Sequence, residues 1–144
     1  MVKQLSVFLE NKPGRLAKMT RVLGQERIDI ITLSISDTTN FGIVRAIVNN
    51  TDKALEILKN SGFTVNVAEL MAVYVPDHPG GLAELLVLLE DKHISVEYLY
   101  SFVRRPGDKA MIVFKVEDVA AAEQMIREAG KGIQLLDEKS VTQA

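Results

Sequence analysis

Two short segments of the chain are nearly the same, Asn11-Lys12-Pro13-Gly14-Arg15-Leu16-Ala17 and Asp77-His78-Pro79-Gly80-Gly81-Leu82-Ala83. Both place Pro-Gly before Leu-Ala, and the two segments lie 66 positions apart. Further along the chain the spacing becomes 68, where Gly62 matches Gly130. Because a repeat of this length determines the whole architecture, it indicates one structural unit built twice.

The pattern of apolar residues predicts the order β-α-β-β-α-β within each copy. In the first copy, Leu5, Val7 and Leu9 alternate with their neighbours, as in a half-buried strand. Pro13 is predicted to open a helix, where its missing N–H group costs nothing. Gly62 is predicted to end a second helix, because glycine tolerates the left-handed conformation found there.

The two extra residues of the second copy suit a longer hairpin turn at Arg105-Pro106-Gly107-Asp108, where Pro-Gly is typical of a type II turn. No cluster of turn-forming residues separates the copies around Glu69 and Leu70. We therefore expect two units packed as one body, while a single long bent strand from Phe63 to Pro76 stays an alternative.

Composition excludes several kinds of chemistry. The 144 residues include no cysteine and two histidines, so thiolate metal sites, disulfides and cysteine nucleophiles are impossible. Neither a metal nor a cofactor is expected. The net charge of −2 argues against nucleic acid as a partner. No signal peptide or membrane-length apolar run is readable, which predicts a cytoplasmic protein with no membrane partner.

The loop between the first strand and the first helix carries groups that suit an amino acid. The first turn of a helix offers free N–H groups and the positive end of the helix dipole, so a carboxylate can dock there. Gly14 has no side chain to block that approach. Asn11 adds a donor and an acceptor. Asp29, at the start of the second strand, is expected near this loop, where it would meet an ammonium group.

A purely structural interpretation of the same residues is also open. Asn11 would then cap the helix, Pro13-Gly14 would form a tight turn, and Asp29 would be a solvated residue.

The segment Glu10–Ala17, followed by Ile28-Asp29-Ile30, resembles the ACT domain, and two consecutive copies cover essentially the whole chain. The resemblance implies an α+β fold of two ferredoxin-like βαββαβ (ACT-like) repeats, residues 1–69 and 70–144, packed side by side with antiparallel sheets. It also implies a small-molecule sensor, usually for amino acids, with the ligand at the interface between two domains.

The resemblance carries the family's ligand positions onto this chain: the residue two before the proline, the glycine turn with the backbone after it, and the start of the second strand. In the first copy these positions are Asn11, Gly14, Arg15, Leu16, Asp29 and Ile30. In the second copy they are Asp77, Gly80, Gly81, Leu82, Ser95 and Val96. Because Asp77 carries a negative charge where Asn11 is neutral, the two sites are expected to be unequal, with the Asn11 site tighter.

Three functions remain open from the sequence. A regulatory protein without catalytic activity is favoured, which binds a free amino acid or a similar small zwitterion as a homodimer. Its output would pass to a partner such as an enzyme in trans or consist of binding alone. A small enzyme using the same cleft is the alternative, which is less favoured because the sequence contains neither a nucleophile elbow nor a Walker-type phosphate loop. An RNA-binding sheet of the same topology would need aromatic residues on its central strands, and residues 42–48 contain none.

Overall fold

The computed structural model describes residues 1–37, 40–102, 109–130 and 132–142. The chain divides into two compact units, formed mainly by Lys3–Ala68 and by Glu69–Thr142. The predicted turn at residues 105–108 lies outside the described residues.

The first unit has the predicted β-α-β-β-α-β order. Its elements are β1 (Val2–Glu10), α1 (Arg15–Gln25), β2 (Ile30–Asp37), β3 (Phe41–Val48), α2 (Thr51–Asn60) and the first part of β4 (Thr64–Pro76). The strands lie in the order β2-β3-β1-β4. β3 is antiparallel to both β1 and β2, with Leu5 opposite Ala46 and Leu33 opposite Ala46 on the other side.

The second unit repeats this arrangement. The second part of β4 is followed by α3 (Gly81–Asp91), β5 (Val96–Phe102), β6 (Lys109–Val116), α4 (Val119–Ala129), β7 (Gln134–Leu135) and α5 (Glu138–Thr142). Its strand order is β7-β4-β6-β5, which is equivalent to that of the first unit. Residues 64–76 thus form one strand, which is the alternative that the sequence left open.

Each unit buries its own apolar core between one face of the sheet and two helices. In the first unit, Leu5, Val7 and Leu9 of β1 pack with Met19 and Leu23 of α1. In the second unit, the core includes members of the same kind, among them Val73, Leu85, Leu89, Phe114 and Ile126. The alternation of Leu5, Val7 and Leu9 in the sequence therefore predicted the buried face of β1 correctly, whereas Ile35, which alternates in the same way in β2, is exposed.

Two local predictions were wrong or incomplete. Helix α1 begins at Arg15 rather than at Pro13, because Gly14 holds a left-handed backbone conformation (φ 88°) that a helix cannot contain. The C-terminal helix α5 was not predicted, although Asp137 signals its start. The amide N–H of Ser140 donates to the carboxylate of Asp137 at 2.7 Å. Hydrogen bonds from the side chain of Ser140, and then from this amide, hold the pKa of Asp137 below its usual range.

Candidate ligand-binding site

The loop between β1 and α1 lies beside the start of β3. Glu10 is the register partner of Phe41, and the backbone N–H of Asn11 donates to the carbonyl of Asn40 at 3.1 Å. A hollow of about 390 Å³ opens here, lined by Glu10, Asn11, Lys12, Asn40 and Phe41. Its volume lies at the lower end of the range that small-molecule sites occupy.

Helices α1 and α3 begin without a side-chain cap. Their N-cap residues are Gly14 and Gly80, both in the left-handed conformation, and no side chain accepts a hydrogen bond from either first turn. Helices α2 and α4 differ, because Asn50 and Asp118 cap them by accepting from the amides of the third helical residue. Asn11 is therefore not the cap of α1. The amide of Arg15 donates to the carbonyl of Lys12 at 3.3 Å, so the amides of Leu16 and Ala17 are the first-turn donors that remain available for a ligand.

The loop of the first unit is rich in cations. Lys12 Nζ lies 3.0 Å from the carboxylate of Glu10. That hydrogen bond and the charge of Lys12 lower the pKa of Glu10, and the charge of Arg15 lowers it further. Arg15 and Lys18 lie over the ring of Phe63, with the cationic atoms 5.2 and 5.7 Å from its centroid. The first turn of α1 contains no acidic residue.

The loop of the second unit has the same left-handed glycine turn and the opposite charge. Gly80 repeats the left-handed turn with a φ of 91°. Asp77 is exposed, and Glu84 adds a carboxylate to the first turn of α3. Where the first unit has Arg15, the second has Gly81, whose position leaves no room for a side chain because a Cβ would overlap the carbonyl oxygen of Pro76.

An exposed leucine accompanies each loop. Leu16 and Leu82 occupy the second residue of their helices and are 36% and 37% exposed. Each loop thus places an apolar side chain next to the helix start, which suits the aliphatic part of an amino acid.

The expectation that Asp29 lies near the Asn11 loop of the same unit was wrong. Both β1 and β2 are antiparallel to β3, so they run parallel to each other, and the start of β2 lies at the opposite end of the sheet from the end of β1. Ile30 pairs with Val48 and Glu10 pairs with Phe41, the two ends of an eight-residue strand. The separation is about 23 Å at 3.3 Å per residue.

The same holds for the second unit. Val96 pairs with Val116, whereas Pro76 pairs with Lys109 at the other end of β6. The sequence-predicted residues thus form two groups in each unit. Asn11, Gly14, Arg15 and Leu16 lie together, as do Asp77, Gly80, Gly81 and Leu82. The strand-start residues Asp29, Ile30, Ser95 and Val96 lie elsewhere.

Sequence reasoning missed Asn40 and Phe41, which line the hollow beside Asn11. The strand order contains the signal that would have found them. In a β2-β3-β1-β4 sheet the β2–β3 hairpin lies next to the end of β1.

A comparison with protein-family models matches one family, described as the ACT domain pair, over residues 1–144. The chain belongs to the ACT domain pair family. The resemblance drawn from the Pro-Gly loops is thereby confirmed, and so is the fold of two βαββαβ units. No curated protein sequence matches the chain.

Solved structures with the same fold include protein BT0572 from Bacteroides thetaiotaomicron. It is 36% identical, with a TM-score of 0.91 over 99% of this ACT domain pair and 96% of that chain. The ligand-free regulatory subunit of aspartate kinase from Thermus thermophilus is 15% identical, with a TM-score of 0.66 over 90% and 93% of the two chains. The corresponding subunit from Thermus flavus is 14% identical, with a TM-score of 0.61 over 88% and 91%.

Two absences apply to the residues that the structure describes. No group of three or more histidine, aspartate or glutamate side chains in that part of the chain is arranged to hold a metal ion. No helix within it has the length and apolar composition needed to cross a membrane.

Proposed function

We propose that this ACT domain pair is a regulatory protein that binds a free amino acid and has no catalytic activity of its own. The observation that carries the proposal is the start of helix α1. It has no side-chain cap, no acidic residue in its first turn, and Arg15 and Lys18 in place of the acidic residues that the helix dipole prefers. This combination weakens an isolated helix and favours a bound anion.

The α-carboxylate of the ligand is assigned to this helix start. The amide N–H groups of Leu16 and Ala17 supply the donors, and the side chain of Asn11 lies exposed on the same loop. The neighbouring hollow with Phe41 would take the ligand side chain. Leu16 adds a second apolar contact.

The ammonium group is assigned to Asp29 of a different ACT domain. One domain cannot supply both groups, because they lie at opposite ends of its sheet. Two domains related by a two-fold axis perpendicular to their strands run those strands in opposite directions, so the loop end of one would lie beside the strand-start end of the other. This requirement supports a homodimer.

The assignment predicts that Asp29→Asn weakens amino acid binding by about tenfold or more, because an ammonium loses a charge-assisted hydrogen bond. Ser95→Ala, the equivalent change in the second unit, should change the affinity by less than about threefold. Titration calorimetry on both variants measures the difference. Equal losses in the two variants would contradict the unequal roles of the two units.

The proposed function itself is tested by thermal unfolding with each of the twenty amino acids. A ligand at one hundred times its dissociation constant adds about 2.7 kcal/mol to the free energy of unfolding. For a chain of this size the midpoint then rises by about 5–11 °C. If none of the twenty amino acids raises the midpoint, the amino acid assignment fails.

We further propose that the regulatory output reaches a separate enzyme in trans. Two of the structures that share the fold are themselves regulatory subunits of an enzyme, aspartate kinase. The cytoplasmic location stays a prediction from the sequence.

A further inference from the structure

Each unit has a further corner of the same kind, where its second strand begins beside the start of its second helix. We call it the strand-start corner. Its backbone is the same in both units. Glu26 and Lys92 end the preceding helices, and Arg27 and His93 follow with positive φ angles of 59° and 56°. The caps Asn50 and Asp118 accept from the amides of Lys53 and Ala121 at 3.2 and 3.1 Å.

The first unit closes this corner with its own side chains. The ammonium group of Lys53 donates to the carbonyl oxygen of Glu26 at 3.2 Å. The side-chain oxygen of Asn49 accepts from the amide of Asp29 at 3.0 Å. The amine of Lys53 therefore ties the start of α2 to the end of α1.

The second unit lacks that amine. Ala121 stands at the position of Lys53 and Glu117 at the position of Asn49, so a methyl group replaces the ammonium-bearing chain and a carboxylate replaces an amide. A hollow of about 550 Å³ opens in this place. It is lined by Lys92, His93, Ile94, Ser95, Glu117, Asp118 and Ala121.

An adjoining hollow of about 270 Å³ shares Lys92 and Ala121 with the first. It extends along α4 past Met125, which is 6% exposed and provides an apolar wall, and reaches Glu128. The two hollows together carry three carboxylates, from Glu117, Asp118 and Glu128, against the ammonium group of Lys92 and the imidazole of His93. Their charge therefore favours a cation.

We propose that the strand-start corner of the second unit binds a small aliphatic primary amine. Its ammonium group would take the place that Lys53 fills in the first unit, donating to the carbonyl of Lys92 and pairing with Glu117. Its alkyl chain would lie over Ala121 and towards Met125. In the first unit this place is filled by the ammonium group of Lys53, whereas the second unit would bind an amine from solution.

This inference does not depend on the proposed amino acid site, which needs the Asn11 loop. Ser95 lies in both sets of residues, so the test uses Ala121 and Glu117, which belong to the corner alone. The probe is n-butylammonium, because it has the four-carbon chain and the ammonium group of a lysine side chain.

The experiment follows backbone amide shifts of the full chain by NMR during titration with n-butylammonium chloride. We expect saturable shifts at Lys92, Ser95, Glu117 and Ala121. Ala121→Lys installs the missing lysine, so it should raise the unfolding midpoint and abolish the saturable shifts. Ala120→Lys is the matched control, since Ala120 is an exposed neighbour on α4, and it should leave the titration unchanged.

Two further titrations distinguish specific binding at this site from a general attraction of cations. Glu117→Gln should weaken binding by about tenfold, the usual loss for one charge-assisted hydrogen bond. Butyltrimethylammonium carries the same charge without an N–H donor and should not compete. The inference is overturned if wild-type shifts do not saturate, if Ala121→Lys binds the probe as well as wild type does, or if butyltrimethylammonium competes equally.

Discussion

At the scale of single residues, two glycines of the Pro-Gly loops are required for different physical reasons. Gly14 needs its left-handed backbone angle, and a Cβ placed there would meet no atom within 4 Å. Gly81 has an ordinary φ angle but lies against the carbonyl of Pro76. The sequence pattern showed two matching glycine turns and could not separate strain from crowding, because crowding depends on where the end of β4 lies.

We predict that Gly81→Ala destabilises the protein by more than about 2 kcal/mol, because the backbone of Pro76 must move to admit the methyl group. Gly14→Ala should cost about 1–2 kcal/mol, the penalty for a left-handed residue with a Cβ. Urea denaturation of each variant provides both values.

Gly24→Ala is the control, since Gly24 lies in α1 with open space around its Cα and no positive φ. It should stabilise by about 0.5–1 kcal/mol, as alanine does in a helix. A larger loss for Gly14→Ala than for Gly81→Ala would contradict the assignment of crowding to Gly81.

At the scale of elements, the first four helices begin in two ways, with or without a capping side chain. Helices α2 and α4 begin with capping side chains that satisfy their amides, as helices whose role is structural usually do. Helices α1 and α3 begin with left-handed glycines and no cap. This division falls between the loops proposed to hold the carboxylate of an amino acid and the loops at the other end of each sheet, so it separates capping of the first turn from binding of a carboxylate by it.

That division predicts opposite results for two asparagines. Asn50→Ala should destabilise the protein by about 1 kcal/mol, because it removes the cap of α2. Asn11→Ala should leave stability within about 0.5 kcal/mol, because Asn11 caps nothing and is exposed. Asn11→Ala should instead weaken amino acid binding by about tenfold. Unfolding and calorimetry on both variants test this, and a stability loss at Asn11 as large as that at Asn50 would restore the structural interpretation.

Most elements could be predicted from the sequence, because local periodicity reports which face is buried. Alternation identified β1, and Gly62 marked the end of α2, where its φ of 88° is now seen. The position of Asp29 could not be found from a motif. It follows from the direction of β2 relative to β1, which is a property of the topology and not of any short segment.

At the scale of the whole molecule, duplication preserved the backbone and changed the charges. The Pro-Gly turns keep the same φ angles, and the corners beside α2 and α4 keep the same caps. Side chains that a ligand would meet are among those that differ: Asn11 against Asp77, Arg15 against Gly81, and Lys53 against Ala121. The repeat could be recognised in the sequence. The hollow beside Ala121 could not, because it depends on how α4 packs against the end of α3.

If the loops hold the carboxylate of an amino acid, exchanging their polar residues should exchange their affinities. Asn11→Asp places a negative charge beside the ligand carboxylate and should weaken the first site at least tenfold. Asp77→Asn removes such a charge and should strengthen the second site by about fivefold, since two charges 4 Å apart in water interact by about 1 kcal/mol. Asn66→Asp adds a charge at another exposed position and serves as the control.

Calorimetry with the amino acid that most stabilises the wild type measures both affinities and the number of sites. We expect one strong site per chain in the wild type. Asp77→Asn should reveal a second site, whereas Asn11→Asp should retain only weak binding. Exposed charges are screened by salt, so the difference between the exchanged variants should shrink as ionic strength rises. Affinities that stay within twofold of the wild type in both variants, at low salt, would remove the carboxylate from these loops.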